Sequence, residues 1–436
     1  MTSEATAECF VYITLPGQTE PVTAGRFALS LDRRGTPEGR FVYGRSYLER
    51  ANAVALDPVE LKLSPRTYST AALNGVFGAL RDASPDYWGR RVIQRHLGKA
   101  QPGEMEYLLY SPDDRAGALG FGLNQTPPAP KRSFNQTLDL AKVQAIADSI
   151  VADDDRPDGD HDAAGADDHA DDRDQVEKLM VIGTSMGGAR PKAVVENEAG
   201  LWIAKFNRPD DTWNSARVEH AMLILARACG LTTAENRVVE VAGRDVLLVK
   251  RFDREKTQAG YLRARMISAL TLLRTEDTYQ SRAKWSYVLL AEEVRRVCAD
   301  PAQNAAELFR RMSFNALISN IDDHPRNHAL IAKETEWKLS PAYDLTPAVP
   351  VSMDRRDLAL ECGDAGRFAN AGNLLSQSAR FLLEPGEAAA MIDAMEAQVR
   401  STWYATARAA GVSERDCEAI ERAFAYPGFR QNQTRQ

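Results

Sequence analysis

The chain has 436 residues, 44% of them hydrophobic, with 61 acidic against 54 basic side chains and a formal net charge of −7. That length holds two or three packed units, and the acidic balance excludes a large autonomous DNA-binding surface, which needs clustered Lys and Arg. Five scattered cysteines with no C-x-x-C exclude a disulfide framework or zinc module. No secretory leader precedes Phe10-Val-Tyr-Ile-Thr-Leu, and no apolar run approaches the roughly 20 residues of a membrane span, so a cytoplasmic setting without membrane contact is expected.

Residues 1–125 mix short strands (Cys9–Thr14, Arg26–Leu31, Arg40–Tyr43) with helices expected at Ser69–Leu80 and Asp86–Leu97, an α/β subdomain. Arg90, Arg91 and Arg95 gather one turn apart, the pattern of a solvated helix face. Residues 126–176 form a linker: a proline-rich joint, Thr126-Pro-Pro-Ala-Pro-Lys131, then a helix over Leu138–Val151, then an acidic run. That run, Asp153–Asp174, holds eleven Asp and almost no large apolar residue, so it cannot bury enough surface to order itself. Its His161 and His169 leave cation binding as the alternative to solvated disorder.

Residues 177–260 read as a small lobe. Gly183-Thr-Ser-Met-Gly-Gly-Ala-Arg-Pro-Lys192 is a glycine-rich turn whose backbone N–H groups suit phosphate oxygens, although it matches neither the Walker A nor the protein-kinase pattern. The strand Leu201–Phe206 puts Lys205 on the face of Leu201 and Ile203, where an ammonium needs a partner or must snorkel at an edge. The helix from Ser215, closed by Gly230, aligns Glu219 with Met222, Leu223 and Ala226, and so points its carboxylate toward apolar surroundings. Lys205 and Glu219 thus fit the strand-lysine and helix-glutamate pair that positions nucleotide phosphates in kinases. Arg237–Val241 and Val246–Lys250 read as a hairpin around Ala242-Gly-Arg-Asp245.

Residues 261–425 are mostly helical, with helices expected at Trp285–Val297, Asn304–Ser319, Gly386–Ala410 and Ser413–Ala425, the last capped by Ser413. Between them lies the densest signal: Asn320-Ile-Asp-Asp-His-Pro-Arg-Asn327, a strand His328–Ala332, a turn at Lys333–Glu336, a return strand Trp337–Leu339, and Pro341-Ala-Tyr-Asp344. An Asp that orients a hydroxyl, an Asn five residues on, and a second Asp beyond a hairpin is the order used for phosphoryl transfer. Asp322, Asn327 and Asp344 take those roles. Residues 426–436 are expected to be a flexible tail.

Taken together, these motifs resemble the HipA family of serine/threonine kinases, the toxins of bacterial type II toxin–antitoxin modules. The resemblance rests on Ser185-Met-Gly-Gly-Ala-Arg-Pro-Lys192, Lys250-Arg-Phe-Asp-Arg254, Asn320–Asn327 and Pro341–Asp344, and extends to Gly39–Leu48, Phe77–Arg90 and Asp114–Phe121. It implies an α+β fold: a bilobal, protein-kinase-like (HipA-like) architecture with an N-terminal α/β subdomain and a mostly helical C-terminal lobe. It implies ATP and Mg²⁺ as cofactors, with Asp322, Asn327 and Asp344 catalytic and Asn327 and Asp344 on the metal. Ser185, Gly187, Gly188, Ala189, Lys192, Lys205, Glu219 and His324 then serve the nucleotide, and Ser185 is the autophosphorylation site, with Thr184 its neighbouring competitor. The implied substrate is an aminoacyl-tRNA synthetase, glutamyl-tRNA synthetase above all. The implied partner is a helix-turn-helix, HipB-like antitoxin, with DNA engaged only through it. Arg326 stands where many members carry Lys, Leu345 replaces the Phe of D-F-G, and the acidic run has no counterpart in the resemblance. A kinase of small molecules and a non-catalytic co-repressor are the competing expectations.

Overall fold

A computed structural model describes residues 7–130, 134–136, 140–142, 144–145, 190–350 and 352–431. The chain is an α+β protein of two compact units: 1–208 with 240–267 and 333–335, and 209–239 with 268–332 and 336–436.

The first unit opens with an antiparallel sheet in the order β4-β3-β2-β1-β5, formed by β1 (Ala7–Thr14), β2 (Pro21–Leu31), β3 (Pro37–Tyr43), β4 (Thr67–Thr70) and β5 (Leu119–Gly122). Val11, Ile13, Phe27 and Phe41 are fully buried there, each worth about 1.5–3 kcal/mol of burial. The helix Tyr87–Leu97 starts where Asp86 accepts from the Gly89 N–H, as expected. The helix expected over Ser69–Leu80 does not form. Its first residues pair as β4, Leu73 and Asn74 take left-handed backbone conformations (φ 51° and 56°), and only Gly78–Asp82 is helical. The apolar spacing of that stretch misled because β4 needs its first residues to close the edge of the sheet.

A second sheet runs β6-β7-β8-β10-β9, from β6 (Asn135–Gln136), β7 (Lys192–Asn197), β8 (Gly200–Phe206), β9 (Asn236–Val241) and β10 (Arg244–Lys250). The β9–β10 turn is two residues rather than the four expected, because Ala242 and Gly243 both adopt positive φ (49° and 76°), the tight geometry that matches strand twist. A further hairpin, β11 (Arg254–Thr257) and β12 (Gly260–Arg263), precedes β13 (Arg265–Ser268), which crosses the unit boundary after Ile267.

A buried ionic cluster ties this sheet to the loop before β5. Asp253 accepts from Arg251 Nε and Nη2 at 2.9 and 2.8 Å, from Arg254 Nη1 at 2.8 Å, and from the Gly117 N–H at 2.9 Å. Gly117 does so with φ +76°, a backbone that glycine adopts without strain. The spare guanidinium hydrogens go to the carbonyls of Asp114 and Arg115. Burial alone would raise the Asp253 carboxyl, but its two arginines and the Gly117 amide hold it well below the usual range. Arg254, sharing one carboxylate with Arg251, is pushed well below an arginine's range by burial and by that cationic neighbour.

The second unit is mainly helical. Asn214 caps the helix Ser215–Ala228, Ser286 caps Tyr287–Val297, and Asp300 with Pro301 starts Pro301–Leu317. The helices Pro301–Leu317 and Pro385–Ala409 bury Leu308, Phe309, Met312, Ile392 and Val399, with the Phe309 and Phe381 rings 5.3 Å apart. Ser413 caps its helix as expected, but that helix ends at Ile420 and gives way to a 3-10 turn at Glu421–Ala423. Within the tail expected over 426–436, Pro427–Arg430 form another such turn with Phe429 fully buried, and residues 432–436 lie outside the described residues. Among the described residues no helix is long and apolar enough to cross a membrane. The expected helix Leu138–Val151 falls largely, and the acidic run wholly, outside the described residues.

Candidate active site

The site is assembled at the C-terminal end of Pro301–Leu317. The helix stops at Ile318, Ser319 turns left-handed (φ 54°), and the Asn320 N–H bonds the Asn315 carbonyl at 2.8 Å. Ser319 Oγ donates to the Ala423 carbonyl at 2.6 Å and accepts from Arg356, which fixes the loop's entry. The loop then turns tightly: His324 N–H bonds the Asp322 carbonyl at 2.8 Å, Asn327 N–H the His324 carbonyl at 2.9 Å, and Asn327 Nδ2 reaches the Asp322 carbonyl at 3.4 Å. Asp322 faces solvent while Asp323, one residue on, is 1% exposed.

The hairpin expected downstream forms. β14 (Ala329–Ala332) pairs antiparallel with β15 (Lys338–Leu339), Leu330 opposite Leu339, and the Ser340 N–H closes it on the Ala329 carbonyl at 2.9 Å. The chain returns beside the loop. Tyr343 donates its hydroxyl to the Arg326 carbonyl at 2.7 Å, Asn320 Nδ2 reaches the Asp344 carbonyl at 3.5 Å, and Arg326 is steadied by Asp277 at 2.9 Å. Asp344 itself sits at φ +60°. A non-glycine residue held there costs of order 1–3 kcal/mol, and such residues cluster at functional sites.

Charge links Asp322 to the returning segment. The Asp322 carboxyl is raised above its ordinary value, first by partial desolvation and then by Asp344, Asp323 and Asp277, against a lowering by His324. Although Asp322 is exposed by area, the packed loop thins the water on one side of it. Three carboxylates crowding a fourth is an arrangement that a cation relieves. Asp344 and Asn327 offer hard oxygen donors, and Mg²⁺ is commonly held by one or two protein ligands with substrate phosphates supplying the rest. Among the described residues no group of three or more His, Cys, Asp or Glu side chains is arranged to hold a metal ion. His324 Nδ1 is buried without a hydrogen-bond partner, a polar atom suited to a ligand.

Beneath the loop lies a network that sequence reasoning missed. Asp323 Oδ2 accepts from the Tyr287 hydroxyl and from His328 Nε2 at 2.9 Å; the same hydroxyl accepts from Asn315 Nδ2 at 3.0 Å. Asn315 Oδ1 accepts from Asn320 Nδ2 at 3.1 Å. All five residues are at most 2% exposed. Burial first, and Asp323 second, raise the Tyr287 hydroxyl well above its usual range, so it stays protonated and donates. Tyr287 stands 36 residues before Asp323, and no motif window connects them. The only signal in the sequence was a Tyr at the start of an apolar helix.

The other expected residues divide between the units. Lys192 and Lys205 are directly opposite one another across β7 and β8 in the first unit. Lys192 is buried, with its ammonium 3.5 Å from Asp86. Lys205 shares a face with Leu201 and Ile203 as expected, yet the wholly buried face of β8 is the other one, Trp202, Ala204 and Phe206. Glu219 belongs to the second unit, 5% exposed beside Met222, Leu223 and Ala226, as its helical stripe required. Ser185, Gly187, Gly188 and Ala189 lie outside the described residues.

Fold and loop together define a protein of the bilobal, protein-kinase-like class. The HipA N-terminal domain matches residues 22–122 and the HipA-like C-terminal domain residues 184–403, and the chain belongs to the HipA family. A solved Shewanella oneidensis complex of the toxin–antitoxin proteins HipA and HipB with operator DNA aligns with it over 95% of this chain and 94% of that one, with a TM-score of 0.65 at 16% identity. A Haemophilus influenzae protein named "Putative kinase" is 27% identical over 188 residues, and Escherichia coli toxin YjjJ is 28% identical over 198. The matched regions span 54% and 42% of those two proteins, and 38% and 42% of this chain.

Proposed function

We propose that this chain is an ATP- and Mg²⁺-dependent serine/threonine-protein kinase acting as a HipA-type toxin. What supports the reading is that Asn327 Nδ2 reaches the Asp322 carbonyl at 3.4 Å, Asn320 Nδ2 reaches the Asp344 carbonyl at 3.5 Å, and the charge of Asp344 helps to raise the Asp322 carboxyl. In this reading Asp322 accepts the hydrogen bond of a Ser or Thr hydroxyl and orients it. Asn327 and Asp344 hold Mg²⁺, which would neutralise the transferring phosphoryl group, and His324 contacts the nucleotide. Lys205 is assigned to the phosphates with Glu219 steadying it, and Lys192, opposite Lys205 across β7 and β8, is assigned to the nucleotide from its buried place beside Asp86. An aminoacyl-tRNA synthetase, glutamyl-tRNA synthetase foremost, is the proposed substrate, and a HipB-like antitoxin the partner through which DNA is met. The likeness to the Shewanella HipA chain, solved together with HipB and operator DNA, supports the partner. Incubation with radiolabelled ATP, Mg²⁺ and a cell lysate tests the class: a labelled protein band absent with Asp322→Gln supports it, a labelled small molecule points to a metabolite kinase, and no label in either preparation points to a co-repressor.

The lysine–glutamate assignment has its own test. Lys205→Ala and Glu219→Ala should each lower activity, and the double variant should lose little more than the worse single one, since residues acting as a unit are non-additive. Additive losses in initial rate would return Lys205 to an edge position with a snorkelling ammonium.

Ser185 is proposed as a self-inactivation site. A phosphoserine adds roughly −1.5 to −2 charges at neutral pH in the glycine turn assigned to the ATP phosphates, so ATP affinity should fall once the site is filled. Mass spectrometry after incubation with Mg²⁺ and ATP, followed by titration of nucleotide binding, checks this. Phosphate confined to other residues, Thr184 included, would transfer or remove the assignment.

A further inference from the structure

The hydrogen bonds below the loop form one unbroken path: His328 to Asp323, Asp323 to Tyr287, Tyr287 to Asn315, Asn315 to Asn320, and Asn320 to the carbonyl of Asp344. The path begins just after Asn327, passes under Asp322, and ends on the backbone of the second catalytic aspartate. Asn320 and Asp323 belong to the loop itself, and His328 follows it directly. Asn315 projects from the helix that precedes the loop. Tyr287 comes from a separate helix, Tyr287–Val297, and its ring also packs edge-on against His328 with centroids 5.3 Å apart.

The hydroxyl of Tyr287 therefore has two jobs. It donates to a buried carboxylate, and it accepts from the amide that orients Asn320. A phenylalanine would keep the ring contact and lose both bonds, leaving Asp323 with His328 as its remaining side-chain donor and Asn315 with an unmatched N–H. Buried polar groups in a connected network are costly to leave half satisfied, so the loop would relax toward alternative partners. A displacement of about 1 Å in a catalytic group costs roughly 100-fold in rate.

We propose that Tyr287 is a positioning residue for phosphoryl transfer, its hydroxyl bridging Asp323 and Asn315 so that the Asp322–Asn327 loop and the Asp344 backbone are held in one frame. The assignment rests on the kinase reading above. It goes further in giving a residue outside every motif control over turnover, and it predicts a separation of effects. Among the described residues the Tyr287 side chain bonds Asp323 and Asn315 and packs on His328, none of them an expected nucleotide ligand, so its loss changes kcat rather than substrate binding.

The experiment uses the full-length chain. Tyr287→Phe should lower kcat by about 10- to 100-fold while KM for ATP stays within about threefold and the circular dichroism spectrum is unchanged. Asn320→Ala, which cuts the path at the Asp344 end without exposing the buried carboxylate to a missing donor, should show the same split and serves if Tyr287→Phe does not fold. Amide hydrogen exchange over Ile321–His328 and Asp344 should speed up in both variants, a readout independent of activity. Wild-type kcat in a folded Tyr287→Phe protein, or wild-type protection of the loop, overturns the proposal. Parallel changes in KM and kcat would also reject it, because they mean general disruption. If the wild-type chain transfers no more phosphate than Asp322→Gln, the kinase reading fails separately, and the exchange data still decide whether Tyr287 positions the loop.

Discussion

Asp322→Gln is expected to lower phosphoryl transfer by about 10²- to 10⁴-fold, the range for removing a positioned acid–base group, with nucleotide affinity little changed. The same substitution should stabilise the fold at neutral pH when Mg²⁺ is withheld. The Asp322 carboxyl is raised in the folded chain by desolvation and by Asp344, Asp323 and Asp277, so the folded state holds its proton more tightly than the unfolded chain. Stability from this group is fully present below the ordinary value of 3.8 and is lost as pH rises through the raised folded value. At pH 7 the ionised Asp322 is therefore a net cost that Gln removes, whereas near pH 3 the neutral Asp and Gln should be alike. Denaturation of both proteins in EDTA at the two pH values measures it. A less stable Gln variant at pH 7, or an advantage that persists at pH 3, would contradict the crowding of these carboxylates.

Asp253→Ala is expected to destabilise the first unit by about 3–5 kcal/mol, the cost of breaking a buried charge pair by removing one partner. Total stability is typically about 5–15 kcal/mol, so most of the margin is at risk. Arg251 and Arg254 have side chains 0% and 2% exposed and share this carboxylate. Without it their hydrogen bonds run to backbone carbonyls, and Asp113 and Asp114 act on them only through charge. Chemical denaturation followed through the buried Trp202 of β8 should show an early transition, and Asp253→Asn should fall between wild type and Ala. Because the Asp253 carboxyl is held down in the folded state, its contribution is present above the ordinary value of 3.8 and fades as pH falls through the folded one. Acid should thus erode the difference between Asp253 and Asn. A loss below about 1 kcal/mol for Ala would mean that water reaches the cluster.

What could be read from the sequence was whatever local rules control. Caps and periodicity placed Tyr87–Leu97, Ser215–Ala228 and the β14–β15 hairpin, since a side chain that accepts an N–H, or an alternation of two, acts within a few residues. The loop from Asn320 to Asn327 was legible for the same reason. Tyr287 and Asn315 were not, because their roles exist only after two helices pack. The stretch at Ser69–Leu80 failed where strand pairing overrode helical spacing, and nothing near Lys192 in the chain announces Asp86, more than a hundred residues away. Asp253 was visible within Lys250–Arg254 as part of a resemblance, but its burial was not.

The path of the chain between its two units carries a practical lesson for cloning. Reading from the N-terminus, the polypeptide changes unit after Arg208, Val239, Ile267, Ala332 and Thr335. No single scissor cut releases either unit whole, so a gene fragment chosen from the C-terminal domain match, 184–403, inherits broken architecture. It lacks Asn135 and Gln136, which pair in parallel with β7, and the Asp114–Gly117 segment that receives Arg251 and supplies an N–H to Asp253. Such a fragment would carry Asp322, Asn327 and Asp344 and still lack the strand and loop partners that complete the first unit.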